Sequence, residues 1–171
     1  MAKVYIAIGS NIDPEKNIPA ALEALNSRCR VTALSRFYRS RPLNRPEQDD
    51  FINGACLIET ELAPRELKFG VLRAIEEALG RIRTADTYAA RTIDLDIALY
   101  GDEVIEEDGI VVPDPDILER SFLFLPLLDL DEEIVIPGSS GLLREQVETG
   151  VHDGVSMDGE FAAALREFVE K

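Results

Sequence analysis

The segment at residues 91–101 reads RTIDLDIALYG and places two aspartates, Asp94 and Asp96, in an otherwise apolar run. Side chains on a β-strand alternate between its two faces, so the two carboxylates share a face and lie roughly 6.5–7 Å apart along the strand. Oxygen ligands suit Mg²⁺, which usually takes one or two carboxylates together with substrate phosphates. Solvated surface carboxylates are the alternative, because aspartate and glutamate are abundant in this chain.

Arginines precede this pair of carboxylates: Arg81 and Arg83 lie in the preceding loop, and Arg91 lies where the strand begins. A pair of carboxylates that could hold a metal, with arginines beside it, is typical of a site for phosphoryl transfer. In such a site the metal ion and the arginine side chains both offset negative charge on the phosphates. The loop is polar with one aromatic residue, Tyr88, which is typical of a mobile lid over a nucleotide. The alternative is a set of surface ion pairs with the acids Glu76, Glu77 and Asp86.

Several familiar kinds of site are missing from the sequence. It contains neither a Gly-x-x-x-x-Gly-Lys phosphate loop nor a dinucleotide-binding fingerprint. The one histidine, His152, falls in a turn predicted to be exposed, and we do not expect it to be catalytic. Cys29 and Cys56 lack metal-ligand spacing and predict reduced thiols in a cytoplasmic protein.

The net charge of −15 argues against general binding of nucleic acid. The charge is nevertheless uneven, with six arginines and no acid at residues 27–46 and eight acids and no base at 101–119. The basic stretch could attract a small anion such as a nucleotide, or it could simply be a solvated strand face. We expect neither a signal peptide nor a membrane span, because the apolar runs are too short.

The length of 171 residues predicts one domain. Apolar periodicity and turn residues predict the element order β-α-β-β-α-β, with strands at about 4–9, 31–39, 51–60 and 92–100 and helices beginning near Asp13-Pro14 and at Pro64. This order is that of an α+β, ferredoxin-like fold with an antiparallel sheet. On the last of these strands, Ile93, Leu95, Ile97 and Leu99 should face the core, with Asp94, Asp96 and Ala98 opposite.

A C-terminal extension follows this core. The stretch DEVIEEDGIVVP predicts a small hairpin, and Asp114 is placed as the N-cap of a short helical piece. The apolar stretch SFLFLPLLDL should pack back on the core, and a last amphipathic helix is predicted at about 159–169.

The stretch ARTIDLDIALYG resembles the signature of the 6-hydroxymethyl-7,8-dihydropterin pyrophosphokinase family. Further similar stretches occur in the same order: YIAIGSNI, SRFYRSRPL, DFINGACLIET, IEEALGRIR and ERSFLFLPLLDL. The resemblance covers roughly residues 3–137, which leaves 138–171 as an extension. It implies a monomeric ferredoxin-like enzyme that transfers the β,γ-pyrophosphoryl group of ATP to the hydroxymethyl group of a reduced pterin and releases AMP.

The resemblance also implies roles for individual residues. Asp94 and Asp96 match the ligands of two Mg²⁺ ions, and Arg81 and Arg91 match arginines that stabilise the transferring phosphates. The remaining positions on the ATP side are Glu76, Arg83, Tyr88, Asp114 and Arg120. Phe51 and Phe122 match two rings that enclose the pterin, Asn53 matches an amide that hydrogen-bonds its edge, and Ser40 and Leu43 would close the pocket. Core packing is the alternative for the two phenylalanines.

The chain also departs from the family's pattern. Asp114 and Pro115 stand where the family usually has a histidine and an aromatic residue, and Tyr88 replaces a tryptophan of the lid. An aspartate near a triphosphate is repulsive unless it turns away. Two alternatives therefore stay open: a relative that binds pterin or nucleotide without catalysis, and an interaction module without a small-molecule site.

Overall fold

The structure is a computed structural model, and it describes residues 1–148 and 154–165. Its eight strands are β1 (Ala2–Ser10), β2 (Arg30–Leu34), β3 (Tyr38–Ser40), β4 (Phe51–Thr60), β5 (Asp94–Tyr100), β6 (Ile105–Glu107), β7 (Ile110–Val112) and β8 (Val155–Met157). One sheet has the order β5-β1-β4-β3-β8, with β2 also pairing with β4. All of these pairings are antiparallel, as predicted. The predicted hairpin is confirmed as β6 and β7.

The helices are α1 (Pro14–Asn26), α2 with a π-helical part (Glu66–Leu72) and an α-helical part (Arg73–Ala78), α3 (Ser121–Leu130), α4 (Leu143–Gln146) and α5 (Gly159–Ala164). The start of α1 is as predicted, because Pro14 occupies its first turn, where a missing N–H costs nothing. Within the described residues, no helix has the length and hydrophobicity needed to cross a membrane.

The two faces of the sheet are covered differently. Helices α1 and α2 bury one face, where Ile6, Ile18, Leu22 and Leu72 belong to the larger hydrophobic cluster. Each such side chain contributes about 1.5–3 kcal/mol by leaving water. On the opposite face a second cluster, which includes Leu127, joins α3 and α4 to the sheet. Cys29 and Cys56 are both free and buried.

The strand predicted at 31–39 is wrong as one continuous element, because it divides into β2 and β3. The Phe37 ring causes the break: it is fully buried, packs over the Cα of Gly54 and lies 5.2 Å from the Phe161 ring. To place this ring in the core, the chain leaves the ladder after Ser35, whose N–H still donates to the Ala55 carbonyl.

The predicted alternation on the last core strand is right up to Ile97 and wrong for Leu99. The pairing with β1 shifts by one residue between Tyr5 and Ile6, which leaves Ala98 as an extra residue on β5. This bulge turns Leu99 into the cluster beneath α3, whereas Ile93, Leu95 and Ile97 belong to the cluster beneath α1 and α2.

The helical piece predicted after Asp114 is also wrong, because the chain forms turns there. The Asp114 carboxylate accepts a hydrogen bond from the Asp116 N–H at 2.9 Å, so it caps a turn rather than a helix. The last predicted helix is present as α5, and its predicted residues 166–169 lie outside the described residues, as does His152.

We expect Gly54→Ala to destabilise the protein by about 1–3 kcal/mol, because the added Cβ overpacks the core. That atom would lie 2.4–2.7 Å from three atoms of the buried Phe37 ring. Urea unfolding followed by circular dichroism measures the change. Gly70→Ala is the matched control, since its Cβ has no neighbour within 4 Å. Equal stabilities for the two variants would contradict the account of the break at Phe37.

Candidate active site

The candidate site lies on the face of the sheet that α3 covers, at the end of the sheet where Gly9, Asn53 and Asp94 stand side by side on β1, β4 and β5. Gly9 is the middle member of this row, and a Cβ there would approach Asn53 Oδ1 to 3.2 Å. The missing side chain therefore leaves the floor open between the amide and the carboxylate. Three cavities adjoin at this point, and Asp94 lines all of them.

The first cavity, about 260 Å³ in volume, is named the aromatic cavity here. All five residues expected to bind the pterin line it, namely Ser40, Leu43, Phe51, Asn53 and Phe122. The amide of Asn53 is buried and donates to Ser40 Oγ at 2.7 Å, which fixes its orientation. The structure thus brings these five side chains together, and their contact with a substrate stays a prediction.

The second cavity, about 200 Å³ in volume, is named the acidic cavity. Four carboxylates line it, from Asp94, Asp96, Asp114 and Asp116, with Arg120 also at its wall. Burial is the main cause that raises the pKa of Asp96, and the neighbouring Asp94 raises it further. Burial likewise raises the pKa of Asp114. Both shifts reflect chiefly the cost of removing water from a charged carboxylate, to which repulsion from neighbouring carboxylates adds.

An all-oxygen set of donors fits Mg²⁺ at the acidic cavity. Within residues 1–148 and 154–165, however, no three acidic, histidine or cysteine side chains are grouped so as to hold a metal ion by themselves. Asp94 and Asp96 would therefore need substrate phosphates or water as the remaining ligands, which is the usual coordination of Mg²⁺ at nucleotide sites.

The third cavity, about 220 Å³ in volume, is named the loop cavity, because residues 81–91 form most of its wall. Arg81, Arg83 and Arg91 line it together with Asp94 and Asp96. The Arg81 guanidinium lies 3.3 Å from Asp94 Oδ1, and that of Arg91 lies 2.7 Å from Asp94 Oδ2. The two arginines predicted to act on phosphates therefore meet at one carboxylate and do not form a surface network.

Backbone carbonyls hold both of these arginines in place. Arg81 donates to the Ile93 carbonyl at 3.0 Å, and Arg91 donates to the Thr87 carbonyl at 2.6 Å. The Arg91 guanidinium carbon also lies 5.7 Å from the centre of the Phe51 ring. Arg91 thereby links the loop cavity to the aromatic cavity, and a charge at this position acts on ligands in both.

Glu76 is buried on α2, with an exposed fraction of 1%. Its Oε1 accepts a hydrogen bond from the Leu95 N–H at 2.8 Å, and its Oε2 pairs with Arg83. Burial is the largest influence on Glu76 and raises its pKa, while the hydrogen bond from Leu95 acts in the opposite direction. The contacts of Glu76 thus position β5 and the loop, and its expected place near adenine or ribose stays a prediction.

The two remaining expectations for the ATP side concern Tyr88 and Asp114. Tyr88 is exposed and lines the aromatic cavity rather than the loop cavity. Its carbonyl accepts a hydrogen bond from Gln48 at 2.9 Å, so the loop is joined to the segment after β3. Asp114 lines the acidic cavity and does not turn away from it. Contacts of either residue with a nucleotide remain predictions.

Sequence reasoning missed two residues of the site. Asn11 accepts a hydrogen bond from the Arg91 N–H at 2.8 Å and donates to Gln48 and to the Asp49 carbonyl, so it fixes Arg91 against the facing loop. The Gly-Ser-Asn turn after β1 was a signal for it. Lys68 lies 3.3 Å from Asp96 Oδ1, and a single lysine on a helix gave no such signal.

Comparison with known proteins assigns this chain to a family of pyrophosphokinases. The family model described as 7,8-dihydro-6-hydroxymethylpterin-pyrophosphokinase (HPPK) matches residues 5–132. The chain belongs to this family. The expected membership, and with it the expected enzyme class of an ATP-dependent pyrophosphokinase in folate biosynthesis, is confirmed.

Individual relatives agree with the family. The chain is 39% identical over 142 residues to 2-amino-4-hydroxy-6-hydroxymethyldihydropteridine pyrophosphokinase of Haemophilus influenzae, covering 81% of this chain and 88% of the relative. It is 39% identical over 136 residues to the folic acid synthesis protein fol1 of Pneumocystis carinii, covering 78% of this chain and 18% of that protein.

Solved structures support the fold. A crystal structure of a Plasmodium falciparum HPPK-DHPS variant with pterin and p-hydroxybenzoate has a TM-score of 0.68 and 13% identity. The match covers 85% of this chain and 43% of that one, so the chain spans less than half of that larger protein.

The buried carboxyl group of Glu76 predicts a pH-dependent contribution to stability. Its pKa is raised above the usual 4.5, so the folded protein holds this proton more tightly than the unfolded chain does. The contribution of Glu76 is therefore largest below pH 4.5 and falls as pH rises toward the folded pKa. The quantity to compare is the free energy of unfolding of the wild type less that of Glu76→Gln. We expect this difference to decrease as the pH rises from about 4 to about 7.

Urea unfolding at several pH values measures this difference. Glu77→Gln, at the exposed neighbouring position, is the matched control and should run parallel to the wild type. A wild-type advantage over Glu76→Gln that grows with pH would show that the ion pair with Arg83 outweighs the burial of the carboxylate.

Proposed function

We propose that the three adjoining cavities carry out transfer of pyrophosphate from ATP to 6-hydroxymethyl-7,8-dihydropterin, giving AMP and the pterin diphosphate. The observation that carries this proposal is the position of Asp94. It lines the aromatic, acidic and loop cavities at once and pairs with both Arg81 and Arg91. Two substrates that react directly must meet at such a junction, because reacting atoms have to come within about 3–3.5 Å.

The aromatic cavity is the proposed pterin site. Phe51 and Phe122 supply flat apolar surface, and ring pairs of this kind contribute about 0.5–1.5 kcal/mol beyond the burial of area. Asn53 offers a donor and an acceptor on one rigid amide, which suits the edge of a pterin ring. Its hydrogen bond to Ser40 fixes the amide before any ligand binds, so little side-chain entropy is lost on binding.

The loop cavity is the proposed site of the triphosphate. The arginines at 81, 83 and 91 supply three guanidinium groups where the phosphates would lie, and metal held by Asp94 and Asp96 would offset the carboxylates in the same lining. Arginine forms bidentate hydrogen bonds with phosphate oxygens, and donors held in place stabilise charge that develops in a transition state. Arg81 and Arg91 are held by backbone carbonyls, so they meet this requirement without a large rearrangement.

Asp94 and Asp96 are the proposed holders of Mg²⁺, two ions in all, at the acidic cavity. Bound there, the metal would neutralise phosphate oxygens and lower the pKa of the attacking hydroxyl group. The protein's own contribution is to present both carboxylates on one face of β5, a strand that the Glu76 carboxylate fixes between them. Arg120, at the wall of the same cavity, is proposed as a further phosphate ligand.

We also infer three broader properties. The core is ferredoxin-like, which the antiparallel order β5-β1-β4 with β2 and β3 beyond it supports. The protein acts as a single-domain monomer, as its resemblance to the pyrophosphokinase family implies. It works in the cytoplasm, in keeping with two buried, unpaired cysteines.

The direct test mixes the protein with ATP, Mg²⁺ and 6-hydroxymethyl-7,8-dihydropterin and measures AMP. We expect AMP from the wild type and a loss of about a hundredfold or more in Asp94→Asn and Asp96→Asn, because each removes a negative charge that would hold the metal. Asp102→Asn, an exposed acid beyond the end of β5, is the control and should retain full activity. Pterin binding without AMP formation by the wild type would instead favour a non-catalytic relative.

Asp114 provides a second prediction, because its carboxylate lines the acidic cavity beside Asp94 and Asp96. Asp114→Asn keeps an acceptor for the Asp116 N–H and removes one negative charge near the proposed phosphates. We expect it to bind a non-hydrolysable ATP analogue with Mg²⁺ about two- to fivefold more tightly than the wild type. Isothermal titration calorimetry measures the affinity, and weaker binding would mean that the carboxylate takes part in holding the metal.

A further inference from the structure

Lys68 is a cation of the site that neither the family resemblance nor the sequence pattern assigned. Its ammonium group lies 3.3 Å from Oδ1 of Asp96, the aspartate that the two arginines leave unpaired. It also lies close enough to Asp114 to lower the pKa of that carboxyl group electrostatically, against the larger effect of burial. The Lys68 ammonium group is thus paired with one carboxylate of the acidic cavity, that of Asp96, and acts electrostatically on a second.

The helix that carries Lys68 has an unusual geometry at this point. Lys68 lies in the π-helical part of α2, where the Arg73 N–H donates to the Lys68 carbonyl five residues earlier. A π-helical turn accommodates an extra residue in a helix and is frequent at functional sites. Leu67 and Leu72, within the same segment, are fully buried, so packing fixes the backbone on both sides of Lys68.

The three cationic side chains near Asp94 and Asp96, those of Arg81, Arg91 and Lys68, differ in how many groups hold them in place. Arg81 and Arg91 each donate to a backbone carbonyl and also form an ion pair with Asp94. Among the residues that the structure describes, the Lys68 ammonium has Asp96 as its single ion-pair partner. Asp96 is 45% exposed and Lys68 20% exposed, and ion pairs with this much access to water are weak. Lysine also carries its charge on a flexible stem.

We propose that Lys68 exchanges partners when the site is loaded: it neutralises Asp96 in the free protein, and it binds a phosphate oxygen of the nucleotide once a divalent cation occupies Asp96. This inference rests on the proposed function, because it assigns a phosphate ligand at the same site. In the free protein, the pairing with Lys68 means that the Asp96 carboxylate is not left uncompensated beside Asp94 and Asp114. When metal and nucleotide are bound, the move to a phosphate oxygen means that the Lys68 ammonium is not left next to a metal ion. Lys68 is therefore a competitor of the metal and a partner of the nucleotide.

The proposal predicts effects of opposite sign in one variant. In Lys68→Met, Mn²⁺ alone should bind about two- to fivefold more tightly, because the weak ion pair no longer competes for Asp96. With Mn²⁺ saturating, α,β-methylene-ATP should bind about three- to tenfold more weakly, because a charged hydrogen bond to phosphate is lost. A purely structural role would weaken both kinds of binding together.

The experiment measures free Mn²⁺ by electron paramagnetic resonance and binding of the analogue by calorimetry. Lys16→Met is the matched control, because Lys16 is exposed on α1, and both of its affinities should equal those of the wild type. Lys68→Arg keeps the charge and should lie closer to the wild type than Lys68→Met in both measurements. Lys68→Gln repeats the loss of charge should Lys68→Met fail to fold by circular dichroism.

The outcomes separate the two proposals. If the wild type shows no Mn²⁺-dependent binding of the analogue, the proposed function itself is wrong. If the wild type binds both ligands and Lys68→Met leaves Mn²⁺ affinity unchanged or weaker, Lys68 does not compete with the metal and the exchange is overturned. Unchanged affinity for the analogue in Lys68→Met would likewise exclude the phosphate contact.

Discussion

The hydrogen bond from the Leu95 N–H to the buried Glu76 carboxylate is the interaction on which the rest of the site depends. Leu95 lies between the two aspartates of β5, so a single buried acceptor on α2 fixes the backbone that presents both of them. The other oxygen of the same carboxylate pairs with Arg83 and so attaches the following loop. A buried carboxylate is costly, and charge-assisted hydrogen bonds from both sides offset that cost.

Placement of the site follows from unequal coverage of the sheet. Helices α1 and α2 close one face with a continuous hydrophobic cluster. On the other face α3 covers the sheet through Leu123, Phe124 and Leu127 and leaves the row of Gly9, Asn53 and Asp94 open. The open region is therefore floored by rigid strands and walled by loops. The strands therefore hold the functional side chains in fixed positions, and the loops that form the walls can adapt to substrates.

The sequence predicted the order of the core elements along the chain, the face that carries Asp94 and Asp96, and five residues that line the aromatic cavity, because these depend on period-two alternation and on a recognisable set of motifs. It failed where tertiary packing decides. Phe37 breaks a strand by packing over Gly54, and no local pattern reveals that partner. Lys68 reaches Asp96 from a helix more than twenty residues earlier in the sequence, and helical periodicity does not indicate which strand a polar side chain will meet.

The bulge at Ala98 changes the face of the sheet on which the odd-numbered side chains of β5 lie. Before it, odd-numbered positions supply the core beneath α1 and α2, and after it the odd-numbered Leu99 supplies the core beneath α3. The extra residue is therefore a spacer that lets one strand serve a polar site at one end and two apolar layers at the other. Loss of Ala98 would restore regular pleating and still leave Leu99 on the face of Asp94 and Asp96, so the extra residue adds a second side chain, that of Ala98 beside Leu99, beneath α3.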